Sequence, residues 1–291
     1  MRTRSLKIEW FYRFLPKSPL ALKVSFWGAL VVGAGLLIVG FFWSRGEWMS
    51  RELMSVAEIK WQQNDYLGAV RDYEKLIESY PKSSVVPEAY YWKGIAFSLY
   101  FDDPELAVTA LKKVIHLEKK RGVSVYDLEA GERLAEIYDK KLDRPRDAIS
   151  AYEDIVAMSE DKDQVLESRF KIGELYYKMG DMAQARVEWD LLVENDPKSR
   201  WAPAALYRKA GTHFVSGEYE KALEIYRSLY TVYPEDENSH FAKFRAANCL
   251  ELIEEPLKAI ALYKELEGSY PDQVLIKQKL EALDQLVHPS S

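Results

Sequence analysis

Six times along this chain of 291 residues a Gly or Ala is followed, twelve or thirteen positions later, by an alanine. The leading set is Ala57, Gly94, Ala135, Gly173, Ala210 and Ala247. The trailing set is Ala69, Ala107, Ala148, Ala185, Ala222 and Ala259. Small side chains held in register while their neighbours drift mark points where two helices approach closely. The trailing alanines stand 38, 41, 37, 37 and 37 residues apart, so one helical hairpin is repeated about six times. A hairpin of that size cannot bury its apolar face alone. It must stack on its neighbours, which makes the fold class all-α and its architecture a solenoid.

The second helix of each repeat shows the stacking face directly. It reads Ala69–Tyr73–Leu76, Ala107–Leu111–Val114, Ala148–Tyr152–Ile155, Ala185–Trp189–Leu192, Ala222–Tyr226–Leu229 and Ala259–Tyr263–Leu266. Steps of four and three place each trio on one side of a helix. Gly217 is a natural stop for the first helix of the fifth repeat, with the second starting near Glu218. Pro81, Pro197, Pro234 and Pro271 close four of the repeats, because proline disfavours helix at the residue before it. The second and third repeats lack that proline and carry one extra residue between their helices. Between them Glu118–Val125 (EKKRGVSV) reads as a lengthened connection. Beyond Pro271, Leu275, Leu280, Leu283 and Leu286 in Gln273–Val287 make an amphipathic helix that caps the exposed end of the stack.

The small residue of the first helix, the turns Asn64-Asp65-Tyr66, Gly180-Asp181-Met182 and Gly217-Glu218-Tyr219, the trailing alanine, the aromatic four later and the closing proline resemble the tetratricopeptide repeat (TPR). The resemblance covers about residues 51–271. The family's first-helix Trp is missing, and the position seven past each trailing alanine is a larger aliphatic residue than usual. The long period is similar to that of repeats in bacterial envelope proteins. The resemblance implies a right-handed α-solenoid of about six hairpins that binds other proteins along a groove lined by its first helices.

From Val24 to Ser44 no residue is charged (VSFWGALVVGAGLLIVGFFWS). About 20 apolar residues at ~1.5 Å rise cross the ~30 Å hydrocarbon layer, so this stretch is expected to be a transmembrane helix. Trp27 and the cluster Phe41, Phe42 and Trp43 stand near its two ends, where such rings prefer the headgroup level. Arg2, Arg4, Lys7, Arg13, Lys17 and Lys23 precede it against the single acid Glu9. Arg45 and Arg51 after it are matched by Glu47 and Glu52. That asymmetry keeps the N-terminus in the cytoplasm. The expected organisation is a basic, aromatic cytoplasmic segment at 1–23, the membrane helix at 24–44, a short linker at 45–50, the solenoid at 51–272, and the capping helix with its tail at 273–291. With the bacterial resemblance, the location is the inner membrane, single-pass, with the solenoid in the periplasm.

Several function classes are excluded or disfavoured. A net charge of −6 without a basic stripe disfavours nucleic acid. Cys249 is the only cysteine, so no intrachain disulfide forms. No nucleotide-binding, metalloprotease, nucleophile-elbow or calcium-loop motif is present, and the four histidines are scattered. No catalytic, cofactor or metal site is expected.

The expected site is a protein-binding groove. Three positions before the leading small residues stand Tyr91, Phe170, Tyr207 and Phe244, a candidate aromatic ladder, with Glu132 in the same column. One position after those residues are Glu58, Glu136 and Glu174. This acidic face suits basic or amphipathic partner segments. The leading reading is a membrane-anchored scaffold in envelope assembly or protein export. The rival readings are a self-assembling homo-oligomeric envelope component, and an enzyme with an unrecognised site.

Overall fold

A computed structural model describes residues 19–122 and 125–288, with backbone alone at several positions between 19 and 43. Thirteen helices and no strand occur among the described residues. The chain divides into two compact units, Met1–Ala96 and Phe97–Ser291.

In the first unit, helix α1 (Pro19–Gln62) packs on α2 (Tyr66–Ser79), and α3 (Val86–Leu99) follows. Residues 45–50, expected as a linker, are interior turns of α1. They are held there by polar contacts across the hairpin. The Glu47 carboxylate accepts from the Ser84 N–H at 3.1 Å and from the Ser84 hydroxyl, while the Ser50 and Ser83 hydroxyls meet at 2.6 Å. A helix anchored on both sides of a segment has no reason to break within it. The expected span Val24–Ser44 falls largely on side chains outside the described residues, as does the whole of residues 1–18. Among the described residues no helix is long and apolar enough to cross a membrane.

The second unit contains α4 (Pro104–Arg121), then the hairpins α5–α6 (Asp127–Lys140, Pro145–Met158), α7–α8 (Lys162–Lys178, Met182–Asn195), α9–α10 (Ala202–Val215, Tyr219–Val232) and α11–α12 (Glu237–Leu252, Pro256–Glu265). Helix α13 (Gln273–Val287) ends it. Each helix packs on the next, and α9 also touches α11, so leading helices of successive repeats are neighbours. Helix α13 buries Ile276 and Leu283 against the last hairpin, the capping arrangement expected from its leucine spacing.

All eighteen residues of the trailing-helix trios are at most 9% exposed. Each trailing alanine is fully buried, which lets the leading helix approach. The reciprocal contact is closest at Gly173, where an added Cβ would stand 2.3 Å from Trp189 Nε1. The indole lies across the glycine and donates to the Phe170 carbonyl at 3.4 Å.

The turns inside the hairpins share one device. Asn64, Asp102, Asp143, Gly180, Gly217 and Glu254 all have positive φ, each immediately before the residue that caps the second helix. Asp65, Asp103 and Asp181 then accept from the backbone N–H three residues on. Asn, Asp and Gly tolerate the left-handed region, whereas a longer side chain meets its own backbone there. Glu254→Gly is therefore expected to stabilise the second unit by about 0.5–1 kcal/mol, read as a raised denaturation midpoint.

The stretch expected as a long connection is helical through Arg121. The reason is Glu118, which is 3% exposed. One of its carboxylate oxygens accepts from the N–H groups of Val125, Tyr126 and Asp127 at 2.8–2.9 Å. A side chain on the last turn of α4 thus satisfies donors at the start of α5. Lys119, Lys120 and Arg121 sit favourably at the helix C-terminus, and Gly122 closes it in the left-handed region.

Candidate partner-binding face

Leading helices α9 and α11 touch, and side-chain bonds from Gln164 to Glu132 and from Arg208 to Glu174 join α7 to α5 and α9 to α7. Residues at fixed positions on them therefore form columns along one face. The column three before the small residue does not make an aromatic ladder. Phe170 is 9% exposed with its ring 5.4 Å from that of Trp201, and Phe244 is 8% exposed, stacked on Tyr270 at 4.8 Å. Trp201 comes from the start of the next repeat, and Tyr270 from the close of Phe244's own repeat. These rings cover both side chains, so Phe170 and Phe244 are not free to grip a partner. Tyr207 stays half-buried against Tyr226, ring centres 5.7 Å apart. In the first unit Tyr91 lies edge-on to Trp92, which in turn contacts Trp61.

The acidic positions behave differently. Glu132, Glu136 and Asp139 on α5 and Glu167 and Glu174 on α7 converge on an open cleft of about 500 Å³, floored by Tyr152 of α6. Lys140, Lys171 and Lys178 also line it, so five carboxylates face three ammonium groups. The rim is tied by ion pairs: Arg133 to Glu136 at 2.8 Å, and Lys178 to Asp139 at 3.0 Å. Gln164 donates to Glu132 at 2.7 Å. These exposed pairs fix geometry more than they add stability.

Two shifts report the field inside the cleft. Burial pushes the Tyr152 hydroxyl well above its ordinary value, and Glu136, Asp139, Glu132 and Glu167 push it further. Burial also raises the Glu174 carboxyl above the usual carboxylate range, although Arg208 and Lys171 oppose the rise. Exclusion of water raises both groups, and gathered negative charge adds to the rise only at Tyr152.

Glu58 lies in the first unit, where it and Glu88 both raise the buried Tyr73 hydroxyl. Leading-helix carboxylates beside the phenol of a trailing helix thus occur in both units. Sequence reasoning placed Tyr152 and Tyr73 only in the core. Both rings are there, and that of Tyr152 also floors the cleft.

Comparison with known families agrees with this architecture. The model described as "Tetratricopeptide repeat" matches residues 53–83, 167–199 and 204–236, which are the first, fourth and fifth hairpins. The chain carries tetratricopeptide repeats. The second and third hairpins, with their extra turn residue and no closing proline, fall outside those matches. Among solved structures, the C-terminal part of a TPR repeat-containing protein from Cytophaga hutchinsonii aligns with a TM-score of 0.56 at 18% identity. It covers 80% of this chain and 86% of that one. A tetratricopeptide repeat protein from Parabacteroides merdae aligns at 0.50 and 14% identity, covering 82% and 86%. Both show the fold.

Among curated relatives, DnaJ homolog subfamily C member 3 of Bos taurus is 30% identical over 187 residues, 60% of this chain and 35% of that protein. The Rattus norvegicus counterpart is 28% identical over 233 residues, 72% and 44%. The chain thus spans between a third and a half of the length of these relatives. A TPR array is a scaffold for protein–protein interaction, and that is the general role of these repeats.

Among the described residues no group of His, Cys, Asp or Glu is arranged to hold a metal ion. Cys249 is fully buried, and that burial pushes its thiol up to about 12, leaving it protonated and unreactive at neutral pH.

Proposed function

We propose that the chain is a membrane-tethered TPR scaffold whose acidic cleft receives basic segments of partner proteins. The observation that carries this reading is the convergence of Glu132, Glu136, Asp139, Glu167 and Glu174 on one open cleft. A lysine or arginine entering there gains charge complementarity and a tyrosine ring beneath it.

Tethering is supported by the uncharged stretch Val24–Ser44 within the continuous backbone helix α1, and by the exposure of Leu30, Val31, Val32 and Leu36 on it. Aliphatic side chains so exposed are unfavourable in water and favourable in hydrocarbon. The basic N-terminal flank orients the repeats outward, which in a bacterium is the periplasm. A scaffold there serves envelope assembly or protein export, with no chemistry of its own. Phosphatase fused after Ser291 is expected to be active only when exported; activity of a cytoplasm-restricted reporter at that position refutes the orientation.

The cleft is tested with the full chain and a fluorescent, end-blocked (Lys-Ala-Ala)4 peptide followed by anisotropy. Glu136→Lys combined with Glu174→Lys is expected to weaken binding at least tenfold and to flatten its salt dependence. Equal affinity in the double variant removes the cleft from the proposal. The raised Glu174 carboxyl adds a signature. Only its ionised form attracts the peptide, so affinity rises with pH through that raised value, and Glu174→Gln is expected to reduce the rise there.

A further inference from the structure

Arg208 and Arg245 occupy equivalent places in successive repeats, two positions before Ala210 and Ala247. Arg208 reaches back one repeat, and its Nε stands 3.0 Å from Oε1 of Glu174, the residue after Gly173. The same reach one repeat later aims Arg245 at residue 211, and there the chain has glycine. Arg245 has no ion pair among the described residues. Its guanidinium lies 5.8 Å from the Phe214 ring centre, with the Tyr207, Tyr226 and Tyr270 hydroxyls nearby.

Tyr226 is the second observation. The residue is 2% exposed, yet its hydroxyl has no hydrogen-bond partner among the described residues. It ends 3.8 Å from where a Cβ on Gly211 would stand, so its polar end is aimed at the space the missing side chain leaves. A phenol hydroxyl with no protein partner and a partly desolvated guanidinium without an anion both have bonding capacity left for a ligand.

We propose that this space receives the carboxylate of a partner's aspartate or glutamate side chain, which takes the position that Glu174 fills one repeat earlier. Arg245 supplies the charge, and the Tyr226 and Tyr207 hydroxyls donate to the carboxylate oxygens. The proposal rests on the protein-binding role of the leading-helix face. It does not rest on the acidic cleft, because its ligand has the opposite charge. Together the two sites fit a partner segment that is basic at one end and acidic at the other.

The test uses full-length protein in micelles, labelled with 15N-arginine and titrated with end-blocked triglutamate. The Nε–Hε signal of Arg245 is expected to shift saturably while that of Arg227, on the trailing helix α10, stays still. Arg245→Gln is expected to weaken binding at least tenfold. Gly211→Glu, which supplies the carboxylate from within the chain, is expected to do the same while leaving the fold intact, since the space is open. Trialanine with a free C-terminus serves as the second arm and is expected to bind more weakly. Undiminished triglutamate binding in either variant, or binding of trialanine in preference to triglutamate, overturns the proposal. Failure of the lysine peptide at the cleft leaves this result standing.

Discussion

Gly173→Ala is expected to destabilise the second unit by about 2–3 kcal/mol, although alanine is the better helix former. The added methyl would sit 2.3–2.8 Å from three atoms of the Trp189 indole. That ring is fully buried, and its N–H is committed to the Phe170 carbonyl, so it cannot swing aside at low cost. The contrasting substitution is Gly211→Ala, one repeat on and one position later. There the nearest atom is 3.8 Å away, and the same change is expected to stabilise by about 0.5–1 kcal/mol. Denaturation followed by tryptophan fluorescence measures both. A second-site Trp189→Phe, which shortens the ring system, should recover part of the Gly173→Ala loss, and a double-mutant cycle reads that coupling. If Gly173→Ala matches the parent in stability, the close helix approach inferred from the small-residue register is wrong.

The second large effect is expected at Glu118. Its carboxylate serves three backbone N–H groups at the start of α5, and Glu118→Ala leaves them without that acceptor. Val125 is exposed and its N–H recovers water, but Asp127 is buried, so the loss is about 2–3 kcal/mol. Glu118→Gln keeps an acceptor oxygen and loses the charge, and should fall between the two. Amide hydrogen exchange separates this cause from general loosening: protection should drop first at Tyr126 and Asp127. Uniform loss of protection across the second unit would assign Glu118 to packing instead.

Legibility in the sequence followed the range of the interaction. The trailing trios, the turn residues at Asn64, Gly180 and Gly217 and the capping helix Gln273–Val287 could be read because helix periodicity is written within a dozen residues. The non-glycine left-handed turns at Asp102, Asp143 and Glu254 were not read. Nothing in a glutamate signals positive φ, and only the shared turn position imposes it. The segment Glu118–Val125 looked like a connection because its charges are those of a loop. Its helix is secured by a carboxylate reaching across to the next element, which no local pattern reveals. The helical state of residues 45–50 is equally hidden from local pattern, since Glu47 and Ser50 are held by Ser84 and Ser83 more than thirty residues away.

The candidate face divides along the same line. The column of Phe170 and Phe244 suggests a grip, but Trp201 of the next repeat covers the first ring and Tyr270, at the close of its own repeat, covers the second. Glu132, Glu136 and Glu174 were legible as acidic positions on leading helices. Their gathering over Tyr152, with Asp139 and Glu167 completing the cleft, depends on the lateral spacing of α5 and α7.

By itself, the order of residues determined that this chain is a stack of helical hairpins and which faces of those helices are buried. Helix burial repeats with the turn of the helix, so apolar and small residues must recur at that interval. Tertiary packing alone decided which exposed charges find one another. It paired Arg208 with Glu174 and left Arg245 facing a glycine, because the partner of each groove arginine is supplied by the preceding repeat, some thirty-five residues away, at a distance only the stacking sets.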